Sequence, residues 1–474
     1  MRDETGRIDR SCARRVALAY PASYRVGMSS LGLQTIYRSI QTSGTMCCER
    51  FFLPEGAAGW ERGEAPCSVE SGARLGEFPV VAFSIAWELE LIDLLRMLHW
   101  AGIPPLREER DERHPIVVAG GPLTFSNPRL LLPFIDVVVV GEADTLARKV
   151  LERLFEDDSR GGALEVVSTM PHVMVPSAQS TGDGTPSRCD ASQLPAWGPI
   201  RTPHTELRDM FLVEAVRGCS RACHYCVMRR GSSGGMRVVP SARILEAIPA
   251  GATRVGLVGA SVTDHPEIER VVREIVARGM SLGLSSLRAD RLDAGLVDAL
   301  RRGGYKTLTT AMDGASERLR ERVERRTTEA HLRQAAKLCR GAGIGRLKLY
   351  LMVGLPTETE EDIDECAGLV KDLSRLVPIT LGVSPFCAKR NTPLDGASFA
   401  GISVVERRLE RLRRRLAGAA EVRATSVRWA WVEHVLSQGG EAEGRAVLGA
   451  ARAGGGFGAY RAELMRLGHK PEPG

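Results

Sequence analysis

The sequence predicts an α/β protein. A doubly wound, Rossmann-like N-terminal domain is followed by a partial β/α barrel of six strands and a helical C-terminal region. Three observations carry this. Short apolar runs alternate with amphipathic segments over residues 16–154, the pattern of a parallel sheet covered on both faces. The alternation lapses over 157–209, where Gly, Ser, Pro and Thr collect between Pro176 and Pro199. It then resumes for six further strands and stops after Pro393. A length of 474 residues agrees, since about 150 residues per domain gives about three domains. The expected divisions are 1–157 for the Rossmann-like domain, 158–209 for a linker, 210–392 for the barrel and 393–474 for the helical region.

In the first half, residues 16–19 read as a strand and Leu31–Gln41 as a helix. Residues 80–85 form an inner strand with a helix behind it, and 116–119 and 137–140 are further strands that run into glycine. Ligands of such sheets bind beyond the carboxyl ends of the strands, here 20–32, 84–88, 120–127 and 141–144. In the second half the strands fall near 212–215, 254–258, 281–285, 307–311, 348–353 and 380–383. Barrel sites also lie at the carboxyl ends of strands, where this half carries its most unusual residues.

Composition removes several classes. With 43% apolar and 26% charged residues, and 50 Gly and 25 Pro in no repeat, the chain is not collagenous, coiled-coil or wholly disordered. No apolar run reaches the roughly 18 to 20 residues of a membrane span; the most hydrophobic stretch, 130–140, is broken by Pro133 and Asp136. Residues 1–15 are charged and lack a signal core, so a cytoplasmic location and no membrane partner are expected. The net charge of +6, from 64 basic and 58 acidic residues, does not announce a nucleic-acid partner. Most of the excess lies in 406–428, with eight arginines against three glutamates. Leu409, Leu412 and Leu416 recur there at helical spacing, which favours a solvated amphipathic helix over a phosphate-binding face for the Arg407 to Arg415 cluster.

Eleven cysteines are too few and too dispersed for a disulfide scaffold. Three of them stand together in Cys219-Ser-Arg-Ala-Cys223-His-Tyr-Cys226, just after the first strand of the second half. Three thiolates on one loop can hold three corners of a cubane iron–sulfur cluster and leave the fourth iron open. An open iron can chelate a small amino-acid-like ligand and pass it an electron. Two other readings compete. A zinc site closed by His224 would need ligand pairs from separated segments, and His224 adjoins Cys223. The third reading is three inert buried thiols.

Cys-x3-Cys-x2-Cys with an aromatic before the last cysteine resembles the radical S-adenosylmethionine (radical SAM) superfamily, and the resemblance extends over 211–393. It implies a 4Fe-4S cluster on Cys219, Cys223 and Cys226, beside Tyr225, and reductive cleavage of S-adenosylmethionine to a 5′-deoxyadenosyl radical. Gly259-Ala260-Ser261 occupies the place of the family's Gly-Gly-Glu segment, which receives the ligand's amino group, with Ser261 replacing the acidic member. Ser285-Ser286-Leu287-Arg288 resembles the Pro-Ser-Leu-Arg variant, with Arg288 the candidate partner of the methionine carboxylate. Met312-Asp313-Gly314-Ala315-Ser316 resembles the segment that places an acid near the ribose, and Val353-Gly354-Leu355-Pro356-Thr357-Glu358-Thr359 the segment that packs on the adenine. A flavodoxin- or ferredoxin-type electron donor is the implied partner; the substrate is not legible.

A Rossmann-like half ahead of such a barrel resembles the B12-binding radical SAM subfamily, and Tyr24-Arg-Val-Gly27-Met28-Ser-Ser-Leu31-Gly32 resembles the opening segment of one of its branches. Cobalamin is therefore an expected cofactor. Ser84, Gly120 and Gly121 stand where a serine and a Gly-Gly pair surround its nucleotide tail, and glycine suits close approach of a bulky ligand. Ordinary strand-end turns are the other reading. The Asp-x-His-x-x-Gly motif that supplies a lower cobalt ligand is absent, and the Ser-x-Leu pattern reads Ser84-Ile85-Ala86.

Cys12, Cys47, Cys48 and Cys67 invite comparison with methylthiotransferases, which carry a second cluster, but they read better as buried thiols, as does Cys387. Trp429, Trp431 and Phe457 are expected to pack the terminal helices against the barrel. The expected function is cobalamin-dependent radical methylation of an unactivated carbon. Methylthiotransferase-like modification of RNA or protein, and a non-catalytic iron–sulfur sensor or scaffold, are the alternatives.

Overall fold

Valine, alanine and phenylalanine fill the central strands of the first half because both sheet faces are covered. Val16 to Tyr20 and Val80 to Phe83 are all buried. The computed structural model describes residues 3–61, 63–177, 185–231, 235–285 and 287–472. The chain divides into two units, one of Met1–Phe211 with Val435–His469, the other of Leu212–Arg230, Gly234–His434 and Lys470–Gly474.

The first unit carries β1 (Arg15–Ser23), β2 (Cys47–Leu53), β3 (Val80–Ser84), β4 (Ile116–Gly120), β5 (Val137–Val139) and β6 (Val173–Met174) in the order β2-β1-β3-β4-β5-β6. All pairs are parallel except the last, β5 with β6. The order reverses at β1, as in flavodoxin-like sheets, which puts the topological switch point between β1 and β3. Helix Leu31–Gln41 starts where Ser30 accepts the Leu33 N–H and buries Leu33, Tyr37 and Ile40 on the sheet.

Two expectations change here. The stretch 158–209, expected as a linker, contributes helix Arg160–Ser168 and β6 to this unit. The late helices Glu441–Arg452 and Phe457–Arg466 also belong to it. Buried Asn127 fixes that return by donating to the carbonyls of Leu436, Ser437 and Gly439 at 3.1, 3.2 and 2.9 Å. Phe457 therefore lies outside the barrel unit, whereas Trp431 is buried within it and donates to the Lys470 carbonyl at 3.0 Å.

A charged knot lies inside the first unit. Arg50, fully buried on β2, grips Glu4 with both Nη atoms at 2.9 and 2.7 Å and Glu70 with Nε at 2.6 Å. Burial alone would raise the Glu4 carboxyl, yet the Arg50 hydrogen bonds and charge hold it below its ordinary range. Glu70 stays above its ordinary range because burial outweighs the same arginine.

The second unit carries β7 (Met210–Glu214), a short hairpin of β8 (Val216–Gly218) and β9 (Met236–Val238), and then β10 (Arg254–Val258), β11 (Ser281–Leu284), β12 (Thr307–Asp313), β13 (Arg346–Val353), β14 (Ile379–Pro385) and β15 (Ala420–Ala424). They form sheets β11-β10-β7 and β12-β13-β14-β15, and a parallel bridge between Leu287 and Thr310 continues one into the other. The barrel is thus partial, with a seventh strand beyond the six expected. β15 arises from Ala-Glu-Val-Arg-Ala, a period of two inside a stretch expected to be helical, and it pairs in parallel with β14. On β13, Leu347, Leu349, Leu351 and Val353 are buried, while Arg346, Lys348, Tyr350 and Met352 occupy the other face.

The arginine-rich segment is the helix Ile402–Leu416, and it buries Val405, Leu409, Leu412 and Leu416. Arg411 and Arg415 pair with Asp364 at 2.6 and 2.8 Å, and Arg407 with Glu360 at 3.6 Å, all on helix Glu360–Ser374. Much of the local positive excess is thus met by an acidic neighbour. Among the described residues, no helix is long and apolar enough to cross a membrane.

Candidate functional site

The cysteine loop begins where β8 ends in Gly218, whose φ of +77° suits glycine and turns the chain across the strand ends. Cys223 is buried, and Cys219 and Cys226 are half-buried. The Arg221 N–H points at Cys219 Sγ at 3.4 Å, and the Cys223 thiol lies 3.6 Å from the Glu324 carbonyl. Burial, followed by the charges of the other two cysteines, pushes the Cys226 thiol up to about 11. Such a thiol keeps its proton until a metal takes its place.

The other expected residues come to the same strand ends. Tyr225 donates to Asp313 Oδ2 at 2.6 Å, and Arg325 Nε lies 2.9 Å from the same oxygen. Burial and the Asp313 charge lift the Tyr225 hydroxyl far above its ordinary range, so it remains a donor. Asp313 itself has φ +62°, a left-handed conformation that a non-glycine residue holds only when its surroundings over-determine it. Gly354, with φ +93°, and Leu355 give their N–H groups to Glu358 Oε2 at 2.5 and 3.0 Å, and burial pushes Glu358 up to about 7. Leu355 packs with Val323, Phe386 and Ala388, and Tyr225 lies against that cluster. The cysteine loop and the β13 and β14 ends thus meet at one apolar wall, and Asp313 at the β12 end is joined to it through Tyr225.

Gly259 and Ser285 tie β10 to β11. The Gly259 N–H donates to Ser285 Oγ at 3.1 Å, and that hydroxyl donates back to the Gly259 carbonyl at 2.9 Å. A Cβ on Gly259 would sit 2.6 Å from the Val216 carbonyl oxygen and 2.5 Å from Val216 Cγ2. Gly259→Ala is therefore expected to cost about 1–3 kcal/mol through overpacking, measured as a lower urea midpoint at unchanged slope. Ala260 is half-buried beside it. Ser261 is fully buried and turns its hydroxyl to Met236 Sδ at 3.3 Å. Ser286 lies outside the described residues.

Arg288 is 3% exposed, and its Nη2 lies 3.1 Å from Asp290 Oδ1. Its buried Nε has no hydrogen-bond partner, the nearest carboxylate oxygen being Asp264 Oδ1 at 3.7 Å. A buried guanidinium donor left open is the kind of group that would receive a ligand carboxylate.

The His224 backbone is tied on both sides, its N–H donating to the Val323 carbonyl at 3.0 Å and its carbonyl accepting from the Leu394 N–H at 3.2 Å. Among the described residues, three ligand atoms within 4.8 Å of one another, as a single ion needs, occur at Glu142, Asp144 and Cys189 and not in the cysteine loop. The loop's sulfurs are spread wider than the ligands of one ion. Three thiols too widely spaced to share one ion, with the open Arg288 donor in the turn after β11, fit a cubane cluster with an amino-acid ligand better than a closed zinc site.

In the first unit, Ser84 and Gly120 are register partners at the ends of β3 and β4. Gly121, with φ +108°, is required by its own neighbours, since a Cβ would lie 2.6 Å from the Ile85 carbonyl oxygen. At the switch point Tyr20 donates to Glu90 Oε1 at 3.2 Å, and burial pushes Glu90 up to about 7. Cys47 and Cys48 are buried as expected, but Cys67 is exposed and Cys12 and Cys387 are half-buried, so those three are not simple core thiols. Sequence reasoning missed Arg325, Asp264 and Asp290, which carry no local motif; Glu358 lies within the segment Val353 to Thr359 that resembles the adenine-packing motif, without a role of its own there.

Residues 32–176 match the family described as radical SAM proteins, N-terminal, and residues 213–370 match the radical SAM superfamily. The uncharacterised protein MJ0966 of Methanocaldococcus jannaschii is 27% identical over 398 residues, covering 81% of this chain and 80% of its own. Among solved structures, the cobalamin-dependent S-adenosylmethionine radical enzyme OxsB, with aqua-cobalamin and S-adenosylmethionine bound, superposes with a TM-score of 0.53 at 10% identity over 85% of this chain. The chain spans 56% of the length of OxsB, and the likeness is one of fold. With a superfamily match in each unit and three cysteines gathered at the strand ends of the partial barrel, the chain belongs to the radical SAM superfamily, an enzyme family that works with a 4Fe-4S cluster and S-adenosylmethionine.

Proposed function

We propose that the protein uses cobalamin, held by its first unit, together with radical chemistry in its second to methylate an unactivated carbon. The observation that supports this most is the strand order β2-β1-β3-β4-β5, with its switch point between β1 and β3, preceding a radical SAM barrel in the same chain. OxsB shares that fold and depends on cobalamin.

Cys219, Cys223 and Cys226 would hold the cluster. When bound, the cluster supplies an electron that cleaves S-adenosylmethionine to methionine and a 5′-deoxyadenosyl radical. Arg288 Nε would meet the methionine carboxylate, and Asp313, fixed by Tyr225 and Arg325, would face the ribose hydroxyls. Leu355 and Phe386 would exclude water beside the adenine, which protects a radical from quenching. In the first unit, the Ser84 hydroxyl and the Gly120 backbone would line the tail of the corrinoid. The electron would come from a flavodoxin- or ferredoxin-type donor, and a reducing cytoplasm suits free thiols.

Titration of the purified chain with hydroxocobalamin tests the reading. A saturable change in the visible spectrum is expected, weakened when Ser84→Trp fills the end of β3. An unchanged spectrum would remove the methylation reading and leave radical SAM cleavage standing.

A further inference from the structure

Two residues between Cys219 and Cys223 that a cluster does not use are each gripped by an aspartate. Ser220 Oγ donates to Asp264 Oδ2, and Arg221 Nη2 donates to Asp290 Oδ2. Asp264 lies in the turn after β10 and Asp290 in the turn after β11. Arg288 spans the two, 3.1 Å from Asp290 Oδ1 and 3.7 Å from Asp264 Oδ1, while its backbone N–H donates to Thr263 Oγ1 at 3.1 Å. The side chains of Asp264 and Arg288 are each 3% exposed, so these charges are matched inside the protein rather than by water.

We propose that Asp264 and Asp290 are positioning residues of the cluster loop. They hold the segment between the first two cysteines against the ends of β10 and β11 and fix the open iron relative to Arg288. The proposal rests on the reading of Cys219, Cys223 and Cys226 as cluster ligands. One guanidinium then serves two purposes: Nη2 braces the loop through Asp290, and Nε stays open toward the ligand. Groups that orient metal ligands without touching the metal commonly govern affinity and reactivity at such sites.

The test uses the full chain, reconstituted anaerobically, as parent, Asp264→Asn, Asp290→Asn, Arg221→Ala, Arg221→Lys and the double variant Arg221→Ala/Asp290→Asn. Iron content, the EPR spectrum of the reduced cluster with and without S-adenosylmethionine, and the apparent affinity for that ligand are the readouts. Iron content is expected to persist in the single variants. The ligand-induced change in the EPR spectrum should weaken, with affinity falling about 10- to 100-fold. The double variant should be no worse than Asp290→Asn alone, because Arg221→Ala removes only a contact that Asp290→Asn has already broken. Arg221→Lys should recover part of the loss.

Parent-like spectra and affinity in Asp264→Asn and Asp290→Asn would overturn the proposal, as would losses that simply add in the double variant. If Asp290→Asn does not fold, Arg221→Ala decides alone: unchanged affinity overturns the brace, and a loss recovered by Arg221→Lys supports it. A parent chain that takes up no cluster overturns the cluster reading and the brace with it, an outcome distinct from a loaded parent with indifferent variants.

Discussion

Cys223→Ala is expected to abolish 5′-deoxyadenosine formation and to leave the reconstituted chain well short of the about four irons per chain expected of the parent. Cys223 is the middle ligand and the most buried of the three, 6% exposed, with its thiol set against the Glu324 carbonyl at 3.6 Å. Two remaining thiolates hold only half of a four-iron cube, so cluster loss rather than a tuned activity is the outcome. Cys387→Ala is the matched control. Its sulfur sits 3.1 Å from the Ala430 carbonyl and is none of the three proposed ligands, so iron content should persist. An iron count near eight in the parent would point instead to a second cluster, as in methylthiotransferases. A fully loaded, reduced protein that makes no 5′-deoxyadenosine would leave the sensor or scaffold reading.

Arg50→Met should destabilise the first unit by about 3–5 kcal/mol, because it keeps the volume but leaves two buried carboxylates without their cation. Glu4 and Glu70 both lose their principal partner. The pH dependence gives the sign. In the parent, Glu4 is held below its ordinary value of 4.5, so its contribution is present above that pH and is lost as acid protonates it. In the variant the same carboxyl is desolvated and has lost its main compensating charge, its pKa moves up, and stability falls as pH rises. The gap between parent and variant is therefore widest near neutral pH and narrows in acid, which urea midpoints at the two pH values will measure.

What the sequence disclosed followed the strength of its local patterns. The spacing of Cys219, Cys223 and Cys226 and the glycines at strand ends point to most of the candidate site, because strand period and turn chemistry are local. β15 escaped notice because five residues of alternating character follow directly on an amphipathic helix. The two aspartates that hold the loop were invisible for another reason. Asp264 is 44 residues from Ser220 and Asp290 is 69 from Arg221, and each acid sits among ordinary surface-like neighbours. Arg50 was hidden likewise, with Glu4 46 residues away. Gly121 shows the converse. Its place in a Gly-Gly pair suggested a ligand, while the Ile85 backbone already demands it.

The return of Val435–His469 to the first unit bears on how the protein is made. A ribosome delivers most of the barrel unit before the segment that Asn127 clasps through Leu436, Ser437 and Gly439 has been synthesised. The first unit, begun earliest, is thus completed only when nearly the whole chain has been made, against the usual order in which N-terminal domains complete themselves first. Until then the groups that receive those helices stay open to solvent, and a chain stopped short of residue 435 would carry them unsatisfied throughout its life.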